Sequence, residues 1–484
     1  MERWSSSLGF LLAAIGSAVG IGNIWRFSAV VGQNGGGAYL IPYLLAVFLF
    51  ALPLMILEIS MGRRFRGTVV SAFRAVRPQF RIIGWFICVV VLLVLSYYLV
   101  ITGWTMGYIL LTAAGKYESF SVFTGSYLPV LFFIIAALVT GFVVSRGIRK
   151  GIERISFLMI PVCFIILLIM ALYGLFLPGF SQGMDFFLTP DFSVLSNPLI
   201  WSAAFGQAFF SLSVGQGILL TYGAYTEKDQ DIPALSVIIT IADLGVALLA
   251  GFVIFPIVFS FGLVPSTGAE LAFSSLPFAF SRMPGGQFFA MAFFTVLFFA
   301  ALTSAVSMLE VSVAAVRESM GWSRTVSAFL VTTGLIIIGL PSALSYSAAG
   351  WTFSGVAVLD FMDETVGTIG LPVTAVITSV VFSWYLPREV FETSIGEKWH
   401  AGSFIRPLCR YIIPAVIIVT TGARLISGID FSATRLVPGT PFIGTVPQIG
   451  WIFVILLLIF VCIYSACRIR GCRLPGWLRY RRES

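Results

Sequence analysis

The chain has 484 residues, of which 58% are hydrophobic and 10% charged, and its formal net charge is +8. With a mean hydropathy of +1.00, no water-soluble fold could bury its apolar surface, so soluble enzymes and soluble binding modules are excluded and an integral membrane protein is implied. The positive balance does not call for nucleic acid, because the cations sit where topology determinants belong.

A spanning helix needs roughly 20 mostly apolar residues. Twelve such stretches are predicted, near 8–29, 38–61, 82–113, 128–144, 155–176, 199–224, 233–262, 287–316, 325–341, 355–386, 411–428 and 449–467. Barrel strands would be much shorter and alternating, so the class is an all-α polytopic membrane protein. The first stretch is too long for a cleavable signal core and lacks a small-residue cleavage site, so it is read as helix 1. The linker 62–81 carries Arg63, Arg64, Arg66, Arg74, Arg77 and Arg81 without an acid, the tail after Cys467 is also arginine-rich, and 177–198 holds Asp185 and Asp191 without Lys or Arg. By the positive-inside rule both termini are cytoplasmic and 177–198 is an extracellular connection.

The six cysteines show no metal spacing. Cys163 and Cys462 fall inside predicted helices, and the set reads as apolar filler without a redox role. None of Asn23, Asn34 and Asn197 stands in a glycosylation sequon. Together with short termini, this points to a prokaryotic plasma (inner) membrane.

Two predicted helices are interrupted. Helix 1 contains "GSAVGIGNIWRF", with Gly16, Gly20, Gly22, Asn23 and Arg26, and helix 6 contains "FFSLSVGQGILLTYGAY", with Ser211, Ser213, Gly215, Gln216 and Gly217. Unwound backbone at membrane depth survives only when buried in protein or lining a cavity. Two broken helices in corresponding places of two halves point to an inverted-repeat transporter with its site at the midplane. Close helix packing is the competing account of such glycines. It suffices for Gly9 and Gly245 but leaves Asn23 and Arg26 unexplained. Unwound carbonyls, an amide oxygen and hydroxyls are hard oxygen ligands for a small cation. Helix 8 adds "FFAALTSAVSMLE", whose Thr303 and Ser304 could bond back to their own helix or face such an ion.

At these residues the chain resembles the neurotransmitter:sodium symporter family. The resemblance rests on "WSSSLGFLLAAIGSAVGIGNIWRF", "NGGGAYLIPYLLA", "SYYLVITGW", "FFSLSVGQG", "YTEKDQDI", "FFAALTSA" and "MDETVGTIG", in order along nearly the whole chain. It implies twelve transmembrane helices in a LeuT-type five-plus-five inverted repeat with helices 1 and 6 broken. Residues 1–176 would be the first repeat, 199–386 the second, and 387–484 helices 11 and 12 with a basic cytoplasmic tail.

The resemblance also implies a site. One sodium would take the Ala18 carbonyl, Asn23, Ser211 and Asp243, completed by a substrate carboxylate. A second would take the carbonyls of Gly16, Val19 and Ala300 with the hydroxyls of Thr303 and Ser304. Substrate would contact Ser17, Ala18, Ile21, Gly22, Val94, Tyr98, Phe210, Ser211, Ser213, Gln216, Ser304 and Met308. Tyr98 and Phe210 would form the outer lid, Arg26 and Asp363 an outer ionic gate, and Trp4 and Glu318 the inner plug and its acid. Half-helix N-termini favour a carboxylate and carbonyl ends favour Na⁺.

Particular residues refine this expectation. Amine transporters of the family carry an aspartate at the position of Gly20, so glycine implies an amino acid that brings its own carboxylate. Gln216 replaces an aromatic pocket residue, and either fits a small or polar substrate side chain or satisfies unwound backbone. Asp243 stands where chloride-dependent members have an amide, and Ala247 where some chloride-independent ones have a fixed acid. Its charge would stand in for a chloride held by Tyr43, Gln207 and Ser211, and proton uptake by an ion-free Asp243 would give proton counter-transport. A structural aspartate is the alternative. The family's arginine three residues before Trp4 is replaced by Met1, with Arg3 as an imperfect substitute. Gly151 and Pro161 in "GIERISFLMIP" either allow helix 5 to unwind locally or mark an ordinary helix start with a proline kink.

The expected function is therefore a sodium-coupled amino-acid symporter working by alternating access, with two Na⁺ sites and no chloride requirement, as a monomer or homodimer in the lipid bilayer. A proton-coupled transporter and an amino-acid-sensing receptor are the alternatives. An intramembrane enzyme has no supporting motif, and a channel would show a continuous polar stripe where this chain has one compact cluster.

Overall fold

A computed structural model describes residues 2–227, 229–264, 269, 271–396 and 401–426. The predicted helix at 449–467 and the basic tail lie outside the described residues.

Among the described residues, nine helices are long and apolar enough to cross a membrane: Gly36–Phe65, Pro78–Ala113, Leu128–Ser145, Ile148–Gly174, Ile232–Ser260, Gly286–Met320, Arg324–Ser345, Val358–Tyr385 and Gly402–Gly422. A tenth span is broken into Ser7–Ala18 and Gly22–Gln33, which meet at 54°. The stretch expected at 199–224 divides into Pro198–Ser211 and Ile218–Ala224. Local chemistry sets these ends. Ser6 accepts the Gly9 N–H, Thr68 that of Ser71, Asp231 that of Ala234 and Ser323 that of Val326, so orphan donors at helix starts find side-chain acceptors. The 286–320 helix is bounded by Gly285 and Gly321, both left-handed.

The helix 286–320 packs along 81–113, which in turn packs against 128–145, and 324–345 lies against 128–145. The first half-helix, 7–18, is wedged between 286–320 and 154–174, and the second, from 22, leans on 232–260. Outward faces carry exposed apolar residues such as Leu131, Leu138, Phe142, Leu158, Ile165 and Ile169. Such a belt suits hydrocarbon as solvent.

Two short helices, Phe180–Leu188 and Phe192–Ser196, occupy the acidic connection. The predicted start of the tenth helix at 355 is a two-stranded hairpin, Thr352–Phe353 with Val356–Ala357, ahead of a helix from Val358. The helix expected from 155 begins at Ile148 with a π-helical turn. It then runs unbroken through Pro161 to Gly174. A Cβ on Gly151 would run into the Val143 carbonyl oxygen, so here Gly151 serves close packing in a wound helix.

Candidate functional site

Both breaks meet at the centre of the bundle. In the first, Val19 is extended and its N–H still reaches the Ile15 carbonyl, after which the chain turns at Gly20 and Ile21 before helix resumes. In the second, Ser213, Gly215 and Gly217 all have positive φ, at 53°, 80° and 69°. Glycine meets this backbone demand without strain, and Ser213 meets it at some cost.

The freed backbone groups are satisfied across the two breaks. Ser213 Oγ donates to the Ser17 carbonyl at 2.8 Å. Gln207 Nε2 donates to the Gly22 carbonyl at 2.9 Å. The Gly215 N–H donates to Glu58 Oε1 at 2.5 Å. Glu58 is fully buried, and its other oxygen has no hydrogen-bond partner. Sequence reading overlooked it, although a single acid inside the apolar run "LMILEIS" was the signal.

The structure brings Asn23, Ser211 and Asp243 into contact. Asn23 Nδ2 donates to Asp243 Oδ1 at 2.6 Å and to Ser211 Oγ at 2.8 Å. Ser211 Oγ donates to Asp243 Oδ2 at 2.7 Å. The Asn23 amide oxygen accepts the Gly20 N–H at 3.0 Å. All three side chains are buried, and each carboxylate oxygen has a hydrogen-bond donor, which offsets part of the cost of taking it out of water. The fully buried Tyr43 hydroxyl and Gln207 Oε1 have no hydrogen-bond partner.

Of the residues expected for the second ion, Ser304 meets the Gly16 and Val19 carbonyls. Ser304 Oγ lies 3.4 Å from the Gly16 carbonyl oxygen, 3.2 Å from that of Ser17 and 3.3 Å from that of Val19. Thr303 instead bonds back along its own helix, to Phe299 at 3.0 Å and Ala300 at 3.1 Å.

A narrow cleft between the broken helices is lined by Ser17, Ala18, Gly20, Gly22, Asn23, Tyr98, Phe210, Ser211, Ser213, Gln216, Ser304 and Met308. Its volume, about 10 Å³, is that of about one water, so the walls must part to admit an organic substrate. Ile21 and Val94 do not line it. Both are buried, and Ile21 takes part through its N–H, which donates to the Tyr98 hydroxyl at 3.3 Å. Gly20 and Asn23 join the lining, since backbone at the break faces inward. Gln216 is buried, and its Oε1 lacks a hydrogen-bond partner.

The gates differ from expectation. Arg26 and Asp363 form no ion pair. The Arg26 guanidinium instead lies 4.7 Å above the Phe210 ring, where cation–π attraction serves a half-buried arginine. At the other end Trp4 is buried and donates to the Tyr222 carbonyl at 3.1 Å, packed edge-on against Tyr222 and Tyr225. Glu318 does not pair with Arg3 and accepts the Thr68 N–H at 3.2 Å.

The inner lock runs the other way in charge. Glu2 accepts from Arg317 at 2.8 Å, from Arg324 at 3.1 Å and from the Ile148 N–H at 3.0 Å. Arg324 also pairs with buried Glu310, which accepts from Tyr225 at 2.8 Å. Glu153 accepts from both the backbone and the hydroxyl of Ser5. Burial pushes the Glu2 carboxyl up, but the Ile148 N–H and the Arg324 and Arg317 guanidiniums outweigh it and hold it below its ordinary value. Sequence reading missed Glu2, Glu310 and Arg324 because it looked for an N-terminal cation.

Broken helices bonded across a central polar cluster, inside a bundle of apolar spans, define a secondary transporter. The comparisons name its family. Residues 1–118 and 125–471 match the Sodium:neurotransmitter symporter family, and the chain belongs to it. An uncharacterized sodium-dependent transporter of Bacillus subtilis is 35% identical over 447 residues, covering 86% of this chain and 96% of the relative. The sodium-dependent serotonin transporter of Drosophila melanogaster is 25% identical over 476 residues, covering 86% and 75%. The crystal structure of MhsT in complex with L-phenylalanine aligns with a TM-score of 0.81 and 35% identity, over 90% of this chain and 100% of that one. The protein is thus a multi-pass membrane transporter of a sodium-dependent family, and not an enzyme.

Proposed function

We propose that this protein is a sodium-coupled symporter of amino acids that works by alternating access without a chloride requirement. The observation that carries the reading is the cluster of Asn23, Ser211 and Asp243, in which the Asn23 amide donates to Ser211 and Asp243 and the Ser211 hydroxyl to Asp243 at the meeting of both breaks. Rotation of the Asn23 amide would turn its oxygen toward the cluster, and a Na⁺ would then replace the hydrogen bonds that now hold it. Asp243 supplies the negative charge that would otherwise have to come from an anion beside Tyr43 and Gln207. The Gly16 and Val19 carbonyls with Ser304, and with Thr303 once it turns from its own helix, make the second sodium site.

The substrate is an amino acid, its carboxylate beside Tyr98 and the unwound backbone of 20–22. The unpartnered Gln216 Oε1 favours a side chain that is small or donates a hydrogen bond. Residues 1–176 and 199–386 act as the two inverted repeats, in a plasma membrane with the N-terminus cytoplasmic. Two Na⁺ moving with a zwitterion carry two charges, worth roughly 4.6 kcal/mol at 100 mV, or roughly a thousandfold accumulation.

The test is uptake of a panel of radiolabelled amino acids into proteoliposomes, with an inward Na⁺ gradient or with choline in its place. Concentrative uptake of one amino acid that needs Na⁺ supports the reading. Saturable binding without accumulation in either condition would make the protein a receptor and overturn it.

A further inference from the structure

We propose that the cleft beside the N-terminal segment binds the phosphate of an anionic phospholipid headgroup. The cleft has a volume of about 430 Å³ and is lined by five cations, Arg3, Arg146, Arg149, Lys150 and Arg324, against one acid, Glu2. That acid is already committed to Arg317, Arg324 and the Ile148 N–H. Arg324 is committed as well, to Glu2, Glu310 and the Val144 carbonyl. Arg3, Arg146, Arg149 and Lys150 make no ion pair among the described residues, and all four are exposed. Four uncompensated cations around one concavity focus a positive potential that a phosphate group would neutralise.

The source of the phosphate is argued from the adjoining helix face. Leu131, Leu138 and Phe142 are exposed along the 128–145 helix, and their spacing places them on one side of it, with Arg146 the next residue in the series. The Arg146 guanidinium rests 4.6 Å over the Phe142 ring. An acyl chain lying along this stripe delivers its headgroup to the cleft, an advantage that a free phosphate lacks. Arg149 Nε already donates to the Arg3 carbonyl at 3.0 Å, so a phosphate held by Arg3 and Arg149 braces the segment that ends in the Trp4 plug.

The experiment is native mass spectrometry of the full chain released from detergent, titrated with phosphatidylglycerol, with phosphatidylcholine, or with inorganic phosphate. The wild type is expected to retain phosphatidylglycerol over phosphatidylcholine. The triple variant Arg146→Gln, Arg149→Gln and Lys150→Gln should weaken that retention by roughly fivefold per cation removed. The charge-preserving Arg146→Lys, Arg149→Lys and Lys150→Arg variant should keep it, as should Arg64→Gln with Arg74→Gln in the linker, and melting temperatures report that each variant folds. Equal retention of both lipids, an unaffected triple variant, or an equal loss in the linker variant would each overturn the site. Displacement of phosphatidylglycerol by an equal concentration of inorganic phosphate would make it a soluble-anion site and overturn the lipid assignment.

Discussion

Asn23 and Asp243 are joined by a 2.6 Å hydrogen bond that ties the first broken helix to the 232–260 helix, while Ser211 from the second break holds the other carboxylate oxygen at 2.7 Å. One carboxylate thus satisfies a donor from each break. Asp243→Asn keeps the shape and removes the charge. Uptake by the wild type should be the same in gluconate as in chloride, whereas the variant should fall about tenfold or more in gluconate and recover with chloride, given that a close charge pair at low dielectric is worth more than 1.4 kcal/mol. Chloride stimulation of the wild type would sink the reading of Asp243 as a fixed anion.

Ser304→Ala removes the hydroxyl that faces the Gly16, Ser17 and Val19 carbonyls. The half-saturating Na⁺ concentration should rise about tenfold, the worth of one oxygen ligand taken as a buried hydrogen bond of about 1.5 kcal/mol. Thr303→Val should have a comparable effect if its hydroxyl turns toward the ion. Sodium titrations of substrate binding measure both, and an unchanged sodium dependence in Ser304→Ala would remove this residue from the ion site.

Gly22 is confined by Phe210, for an added Cβ would stand 2.8 Å from the ring. Gly22→Ala must therefore displace the side chain over which Arg26 is poised. Substrate affinity should drop about tenfold, an overpacking cost of about 1 to 2 kcal/mol localised at the Phe210 side chain, with thermal stability changed much less. Binding isotherms and melting curves separate the two. A variant with wild-type affinity would show that Phe210 moves freely and forms no lid.

The spans among the described residues and both breaks were legible in the sequence because hydropathy and glycine clusters are local signals. Asn23 and Ser211 stood out as polar side chains at the breaks, whereas Asp243 entered only through the family resemblance, and the structure places all three in hydrogen-bond contact. The inner lock was not legible. Glu2, Arg317, Arg324 and Glu153 are ordinary charges at helix ends or in a terminus, and only tertiary packing joins Glu2 to Arg317 and Arg324, more than 300 positions away, whereas Glu310, a buried acid inside the 286–320 helix, gave the same local signal as Glu58. Likewise, nothing in the sequence told that Arg26 would rest on Phe210 in place of pairing with Asp363, since both arrangements satisfy the same cation. Thr303 carried both of its readings at once, and the structure shows the back-bonded one.

Glu58 holds the second break open through the Gly215 N–H. Glu58→Ala would leave that buried donor without an acceptor, at about 1 to 3 kcal/mol, whereas Glu58→Gln keeps an acceptor oxygen. Thermal unfolding should show a clear loss for the alanine variant and a much smaller one for glutamine. Equal losses would mean that the hydrogen bond to the Gly215 N–H is not what Glu58 contributes to the break.

Glu2→Gln should loosen the N-terminal plug, because an amide loses the charge that Arg317 and Arg324 share. Hydrogen exchange at 4–10 and 148–153 should speed up in the variant at neutral pH. The pH dependence has a definite sign. The folded carboxyl titrates below its ordinary value of 4.5, so its contribution is fully present above that value and is lost as pH falls through the lower, folded one. Wild-type exchange in these segments, corrected for intrinsic chemistry, should therefore stay flat from neutral pH down to about the ordinary carboxylate range and rise only below it, while Glu2→Gln shows no such rise. A wild-type transition near pH 6 would mean that another group controls the plug.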